Sequence, residues 1–256
     1  MSKQINFNCV GCGACCKGRY VPLTLEEAEA WLRRGHRVSI LLEAFAIDED
    51  QGDLARYRHN ASRGTHVRSG SIDICVIAIF AADAISGCPN LGEGNACQIY
   101  DQRPLVCRIY PMEVNPFVAF RTDQKDCPPE AWDTSQTNEV IRPDGQLIPS
   151  IKQLVEASRH ADQAEALTKV LICEELDLRV TAWKGCGYVI HTPGVDDLMA
   201  AISRVSAQQR SPEKQWLVRV HGQGLTDKLR DMQAQLYPAN SDDRHLYIPL
   251  EATSPN

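Results

Sequence analysis

Cys9-Val10-Gly11-Cys12-Gly13-Ala14-Cys15-Cys16 packs four of the chain's eleven cysteines into eight residues. Thiols three residues apart, with glycine between them, let a short loop curl until several sulfurs face one point, the geometry that thiolate-bound metals use. A second group follows at Cys88, Cys97, Cys107 and Cys127. The remaining three, Cys75, Cys173 and Cys186, stand apart: Cys75 and Cys173 in apolar runs that predict burial, and Cys186 between two glycines in a predicted turn.

The bulk of the chain sets the context. It has 256 residues, 43% apolar and 23% charged, enough to bury an ordinary core, so the cysteines do not substitute for one. A net charge of −6 argues against general capture of nucleic acid. No apolar run reaches the ~18–20 residues of a membrane span, and Met1–Phe7 lacks a secretory stretch. The expectation is a cytoplasmic protein with no nucleic-acid or membrane partner. In that reducing setting dense cysteines signal metal or redox chemistry rather than disulfides, and an odd count fits poorly with full pairing.

Outward from the first loop, Thr24-Leu25-Glu26-Glu27 has the form of a capping box and predicts a helix ending at Gly35. Val38–Ile47 reads as a continuing helix, residues 48–70 as an irregular arginine-containing insertion, and Ile72–Phe80 as a strand. Glu113–Arg121 reads as another short strand. Helical periodicity runs over Ser150–Leu178, with Leu167, Val170 and Leu171 on the expected buried face. A strand-like stretch at Val180–His191, helices over Val195–Gln209 and Leu225–Leu236, and an extended Leu246–Leu250 complete the pattern. The fold class expected is α+β: a cysteine-cluster metal-binding domain of short strands and helices over residues 1–128, a proline-rich boundary at 129–149, and a helix-rich region over 150–256.

Cys9-x2-Cys12-x2-Cys15 has the spacing that ferredoxin loops place around a [4Fe–4S] cluster, and Cys-Pro pairs occur at Cys88 and Cys127. The fourth cysteine of the ferredoxin run is missing. Zinc accepts Cys-x2-Cys equally well, so spacing alone leaves zinc and iron–sulfur both open. The adjacent Cys15 and Cys16 have two readings: one ligates while the other packs, or the two serve different metals. Some of the eight could also be inert buried thiols. Arg103 and Arg108, beside the ligands, are candidates to offset thiolate charge, and Tyr100 and Tyr110 to shield the site.

Phe7-x-Cys9-x2-Cys12-Gly13-x-Cys15-Cys16, together with Cys97-Gln98-Ile99-Tyr100-x2-Arg103-Pro104-x2-Cys107-Arg108-x-Tyr110-Pro111, resembles the YkgJ-type CxxCxxCC cysteine-cluster family. The resemblance spans residues 7 to 128 and implies a zinc- or iron-chelating module, with iron–sulfur among its options. The leading expectation is a metalloprotein liganded by Cys9, Cys12, Cys15, Cys16, Cys88, Cys97, Cys107 and Cys127, with iron–sulfur favoured over zinc because of the Cys-x2-Cys-x2-Cys run and the Cys-Pro pairs. The same motif occurs in flagellin lysine N-methylases. A second expectation is therefore an S-adenosylmethionine-dependent protein-lysine methyltransferase acting on a protein substrate, and a third is metal storage or delivery. No nucleotide fingerprint or nucleophile elbow accompanies the cysteines.

Overall fold

The computed structural model describes residues 4–47, 53–132, 138–207, 210–238 and 244–250. In chain order its elements are β1 (Ile5–Asn6), β2 (Arg19–Pro22), α1 (Leu25–Arg33), β3 (Val38–Ala46), α2 (Leu54–Ser62), β4 (Thr65–Ser69), β5 (Ile72–Ala84) and α3 (Leu105–Ile109). They continue with β6 (Glu139–Ile141), α4 (Pro149–Ala164), α5 (Ala166–Glu175), β7 (Val180–Trp183), β8 (Gly187–His191), α6 (Val195–Ser206), β9 (Leu217–Arg219), α7 (Gln223–Asp231) and β10 (Leu246–Pro249). Helices and strands mix throughout, as an α+β chain requires. Two compact units emerge. One joins residues 1–24 to 82–161; the other joins 25–81 to 162–256.

The first unit is poor in regular structure. β1 pairs antiparallel with β6, Ile5 opposite Ile141, so the stretch 129–149 contributes a strand to this unit. Its core is small: Ile109, Met112, Val140 and Val155 are buried, with Phe7, Phe120 and Ile151 among the residues packed around them. Glu113–Arg121 is not a strand. Asn115 accepts the Phe117 N–H on its side chain at 2.9 Å and the Val118 N–H on its carbonyl at 3.3 Å, and Pro116 has no N–H to give a ladder. The apolar residues that suggested a strand, Val114 and Phe120, reach the core from turns instead.

The second unit is built on a sheet in the order β10–β8–β3–β5, with β4 antiparallel to β5, β7 parallel to β3 and β9 parallel to β7. Val38–Ala46, expected as a helix, is the strand β3. Its residues are buried on both faces, and such a central strand has no polar alternation to distinguish it from a buried helix. The insertion expected to be irregular also has structure. Asp53 caps α2 by accepting the Arg56 N–H at 3.0 Å, and β4 pairs along β5 from Thr65 to Ser69; residues 48–52 lie outside the described residues. Its arginines mostly meet acids of this unit: Arg63 lies 2.9 Å from Asp162 and Arg68 2.9 Å from Asp73.

Elsewhere the pattern holds with local revisions. α1 stops as expected, Gly35 taking a φ of 77° and donating to the Leu32 carbonyl at 2.8 Å. The long helical stretch divides into α4 and α5, and Leu167 is 44% exposed while Val170 and Leu171 are buried. The predicted helix at Val195–Gln209 is α6, with 208 and 209 outside the described residues. Cys75 and Cys173 are core residues. Glu174, beside Cys173, is also buried and accepts hydrogen bonds from Glu213 N–H (3.3 Å), Lys214 N–H (3.2 Å) and Trp216 Nε1–H (3.1 Å). No helix among the described residues is long and apolar enough to cross a membrane.

His191 gives this unit a pH dependence. On β8 it is buried, its Nε2 is 3.0 Å from the Val180 carbonyl, and its Nδ1 has no hydrogen-bond partner among the described residues. Burial, with a smaller contribution from the His245 imidazole, pushes His191 from its ordinary 6.5 down to about 4. Between those values the unfolded chain binds a proton that the folded chain refuses, so stability rises with pH across the window. The contribution is complete above 6.5 and is lost as pH falls towards 4, at up to about 1.4 kcal/mol per pH unit. Urea unfolding of wild type and of His191→Gln from pH 4 to 7 should show a slope that the variant flattens.

Candidate metal centre

All eight cysteines expected as ligands fall in the first unit. The Cys9–Cys16 loop ends in a 3-10 turn, Ala14–Cys16, entered through Gly13 at a φ of 74°. A Cβ on Gly13 would stand 2.8 Å from the Cβ, Cγ and Oδ1 of Asn95, so glycine here serves both the left-handed backbone and the close approach. The same Asn95 Oδ1 accepts from Lys17 Nζ at 3.3 Å. This is how the first cysteine loop seats on the second.

The second segment is folded back on itself. Leu91 N–H donates to the Cys88 carbonyl at 3.0 Å, Gly92 N–H to the Ala96 carbonyl at 2.8 Å, and Leu91 bridges Cys97. Cys88 N–H then donates to the Cys16 carbonyl at 2.8 Å, tying the two segments by backbone. Cys107 lies in α3, and Cys127 sits beside Tyr110, Sγ to hydroxyl 3.6 Å. Trp132 Nε1–H donates to the Cys127 carbonyl at 3.4 Å and its ring meets Phe7 at 5.0 Å. Cys9 and Cys12 are exposed and the other six half-buried.

Among the described residues no three His, Cys, Asp or Glu side chains already converge tightly enough to form a metal site. The thiols are gathered into one neighbourhood, not closed around a point. Cys15 and Cys16 come nearest, with sulfurs 4.0 Å apart.

The electrostatics follow from that crowding. The contact with Cys16, then burial, then the charges of Cys9 and Cys127 raise Cys15, so of the touching pair Cys15 keeps the proton. Cys16 is lowered, first by its contact with Cys15, then by the charges of Arg19, Arg103 and Lys17. Burial pushes Cys107 up to about 12, and the charges of Cys16, Cys88 and Cys97 push the same way. Burial also raises Cys88, on which Cys16 and Cys97 act, and Cys127, on which Cys12 and Cys9 act. Tyr110 is raised by burial and then by its contact with Cys127; when Cys127 is a thiolate the phenol O–H is the donor.

Of the flanking residues, Arg103 lies 3.8 Å over the Tyr100 ring and donates to the Tyr100 carbonyl at 3.0 Å, and its charge reaches Cys16 and Cys107. Tyr100 is 52% exposed and serves as a platform for that guanidinium. Arg108 is exposed on α3. Lys17, Arg19 and Asn95 are site residues that sequence reading passed over. Lys17-Gly18-Arg19 directly follows the double cysteine, a visible signal; the role of Asn95 required the fold. Gly222, at a φ of 92°, opens α7, and His221 borders a cavity of about 570 Å³ also lined by Arg219, Tyr237 and Tyr247.

The first unit thus carries eight free thiols on two interlocked segments flanked by cations, a donor set of the kind that thiolate-bound metals use. Residues 8–128 match the family CxxCxxCC, described as "Putative zinc- or iron-chelating domain", and the resemblance read from the two cysteine motifs holds over that stretch. No curated protein and no solved structure matches the chain.

Two outcomes test this arrangement. In reduced, metal-free protein, iodoacetamide mapping by mass spectrometry should leave Cys75 and Cys173 unlabelled until unfolding, with Cys16 alkylated at lower pH than Cys15. Gly13→Ala should weaken metal retention at least several-fold, read by competition with a chelator, because the turn must open away from Asn95.

Proposed function

We propose that the unit formed by residues 1–24 and 82–161 is a metal-binding module in which Cys9, Cys12, Cys15, Cys16, Cys88, Cys97, Cys107 and Cys127 hold iron–sulfur in preference to zinc, with a structural, redox or accessory role. One observation carries the reading: thiols from segments some seventy residues apart in sequence come into one unit through the Cys16–Cys88 backbone bond, inside the stretch that matches a chelating family. The donor set fits. Thiolates suit both zinc and iron–sulfur, and the Cys-x2-Cys-x2-Cys run with two Cys-Pro pairs favours the cluster. A cytoplasmic, reducing setting would keep the thiols available.

An iron–sulfur cluster would supply one-electron chemistry or a covalent staple; zinc would supply the staple alone. The protein's part is separable. Lys17, Arg19 and Arg103 offset the charge that deprotonated thiols bring, Tyr110 offers its O–H to Cys127, and Phe7 and Trp132 shield one side. Because the sulfurs are gathered but not closed, binding energy also orders the loops.

Anaerobic purification followed by metal and sulfide analysis with a visible spectrum tests the reading. Iron and sulfide in cluster proportion with broad brown absorbance is the expected result; a colourless protein with stoichiometric zinc overturns the iron–sulfur preference, and a protein that retains neither metal overturns the function. Metal loading should also raise the unfolding temperature, and further as free metal rises above its Kd, by ligand linkage.

A further inference from the structure

Away from the cysteines, the second unit has a recess with a chemistry of its own. The cavity of about 570 Å³ takes its walls from β9, α7, the segment that follows α7, and β10, all within residues 162–256. Arg219, His221 and Arg230 line it together with Tyr237 and Tyr247, and among the described residues no Asp or Glu does. In a chain of net charge −6 that makes a locally cationic hollow. Its volume lies in the range that holds small organic ligands, and Val220, Leu236 and Pro238 give it an apolar share.

Arg219 is the centre of the arrangement. Its guanidinium lies 5.0 Å from the centroid of the Tyr247 ring and 5.6 Å from that of Tyr237. Its Nη1 is 2.9 Å from His245 Nε2; arginine only donates, so that nitrogen is the acceptor and the imidazole carries its proton on Nδ1. The partners are themselves held. The Tyr247 hydroxyl donates to the Cys186 carbonyl at 3.1 Å, and the Tyr237 N–H to the Val218 carbonyl at 2.9 Å. The His245 ring meets Tyr237 at 4.9 Å and the buried His191 at 5.3 Å. A guanidinium held this way has little rotamer freedom left to lose on binding. Arg230 differs: it donates to Asp227 at 2.7 Å, which offsets part of its charge.

We propose that this recess binds a small organic anion with a flat ring, its carboxylate or phosphate on Arg219 and its ring against Tyr237 and Tyr247. The guanidinium fork suits both head groups, because each offers two oxygens to two parallel N–H donors. Arg219 is half-buried, so its charge acts through less water than that of an exposed lysine. Two tyrosine rings on the walls favour a flat body over a branched one. The site belongs to the second unit and does not depend on the metal-binding reading.

Titration calorimetry on the full-length chain, purified anaerobically with the metal it retains, tests the proposal. Benzoate and adenosine 5′-monophosphate carry the two head groups; benzamide and adenosine are their uncharged counterparts. At least one charged probe should bind saturably with a Kd below about 1 mM, while its uncharged counterpart binds at least about ten-fold more weakly. Binding of benzoate alone identifies a carboxylate ligand, and binding of adenosine 5′-monophosphate alone a phosphate. Arg219→Gln should weaken the charged probe by about ten-fold or more, and Arg219→Lys by less, since the charge stays and the fork goes. Should these variants fail to fold, wild type is treated with phenylglyoxal and mapped by mass spectrometry. The bound probe should then slow labelling of Arg219 several-fold and leave the exposed Arg204 unchanged. Binding of neither charged probe, equal binding of the uncharged ones, wild-type affinity in Arg219→Gln, or unaltered labelling of Arg219 overturns the site. Each of these failures leaves the metal content of the first unit, and the reading built on it, where it stood.

Discussion

The hydrogen bond from Cys88 N–H to the Cys16 carbonyl is the contact on which the cysteine arrangement depends. Between those residues the chain leaves the first unit, builds α1 through most of β5 in the second, and returns at Ala82. Loop-closure entropy grows only slowly with length, so such a detour is tolerable if the returning segment is held firmly where it arrives. It is held by backbone on Cys16, by the Asn95 side chain against Gly13, and by Lys17 on the same Asn95. A first unit with few buried apolar residues has little else to fix these loops, which is the circumstance in which a metal adds most to folding.

The two units divide the labour of stability. In the second, β3 is buried on both faces and the polar groups drawn inside are answered locally: Lys169 lies 3.0 Å from Glu165, and Glu174 receives three N–H donors. Cys75 and Cys173 behave there as small apolar residues, their thiols pushed up by burial. In the first, the cysteines remain half-buried or exposed, and at Cys16 the charges of Arg19, Arg103 and Lys17 lower the thiol against its burial. The same residue type thus has two physical roles in one chain, separated by solvent access and cationic company.

Charge placement at the cysteine loops follows one logic. Burial raises Cys107 and Cys88, and the charges of neighbouring thiols push the same way. Arg19, Lys17 and Arg103 lie where they oppose such a rise at Cys16. Stacking Arg103 on the exposed Tyr100 ring holds a guanidinium in place without burying it, so its charge is fixed and its desolvation small.

The amino-acid sequence by itself determined the likeness to a metal-chelating family, because residue type and short spacing are local properties: Cys9 to Cys16 brings four thiols into eight residues wherever it sits, and the Cys97–Pro111 segment belongs to the same match. It also disclosed the α+β mixture and most helices, whose periodicity is written in consecutive residues. Partnership was decided only in three dimensions. Val38–Ala46 has the same apolar run whether helix or central strand, and β5 and β8 on either side make it a strand. Glu113–Arg121 has strand-like residues, but Asn115-Pro116 denies them a ladder. The meeting of Cys16 with Cys88, of Gly13 with Asn95, and of Cys127 with Tyr110 joins residues that no local rule connects, since each contact exists only after the chain has gone through another unit or around a core and come back.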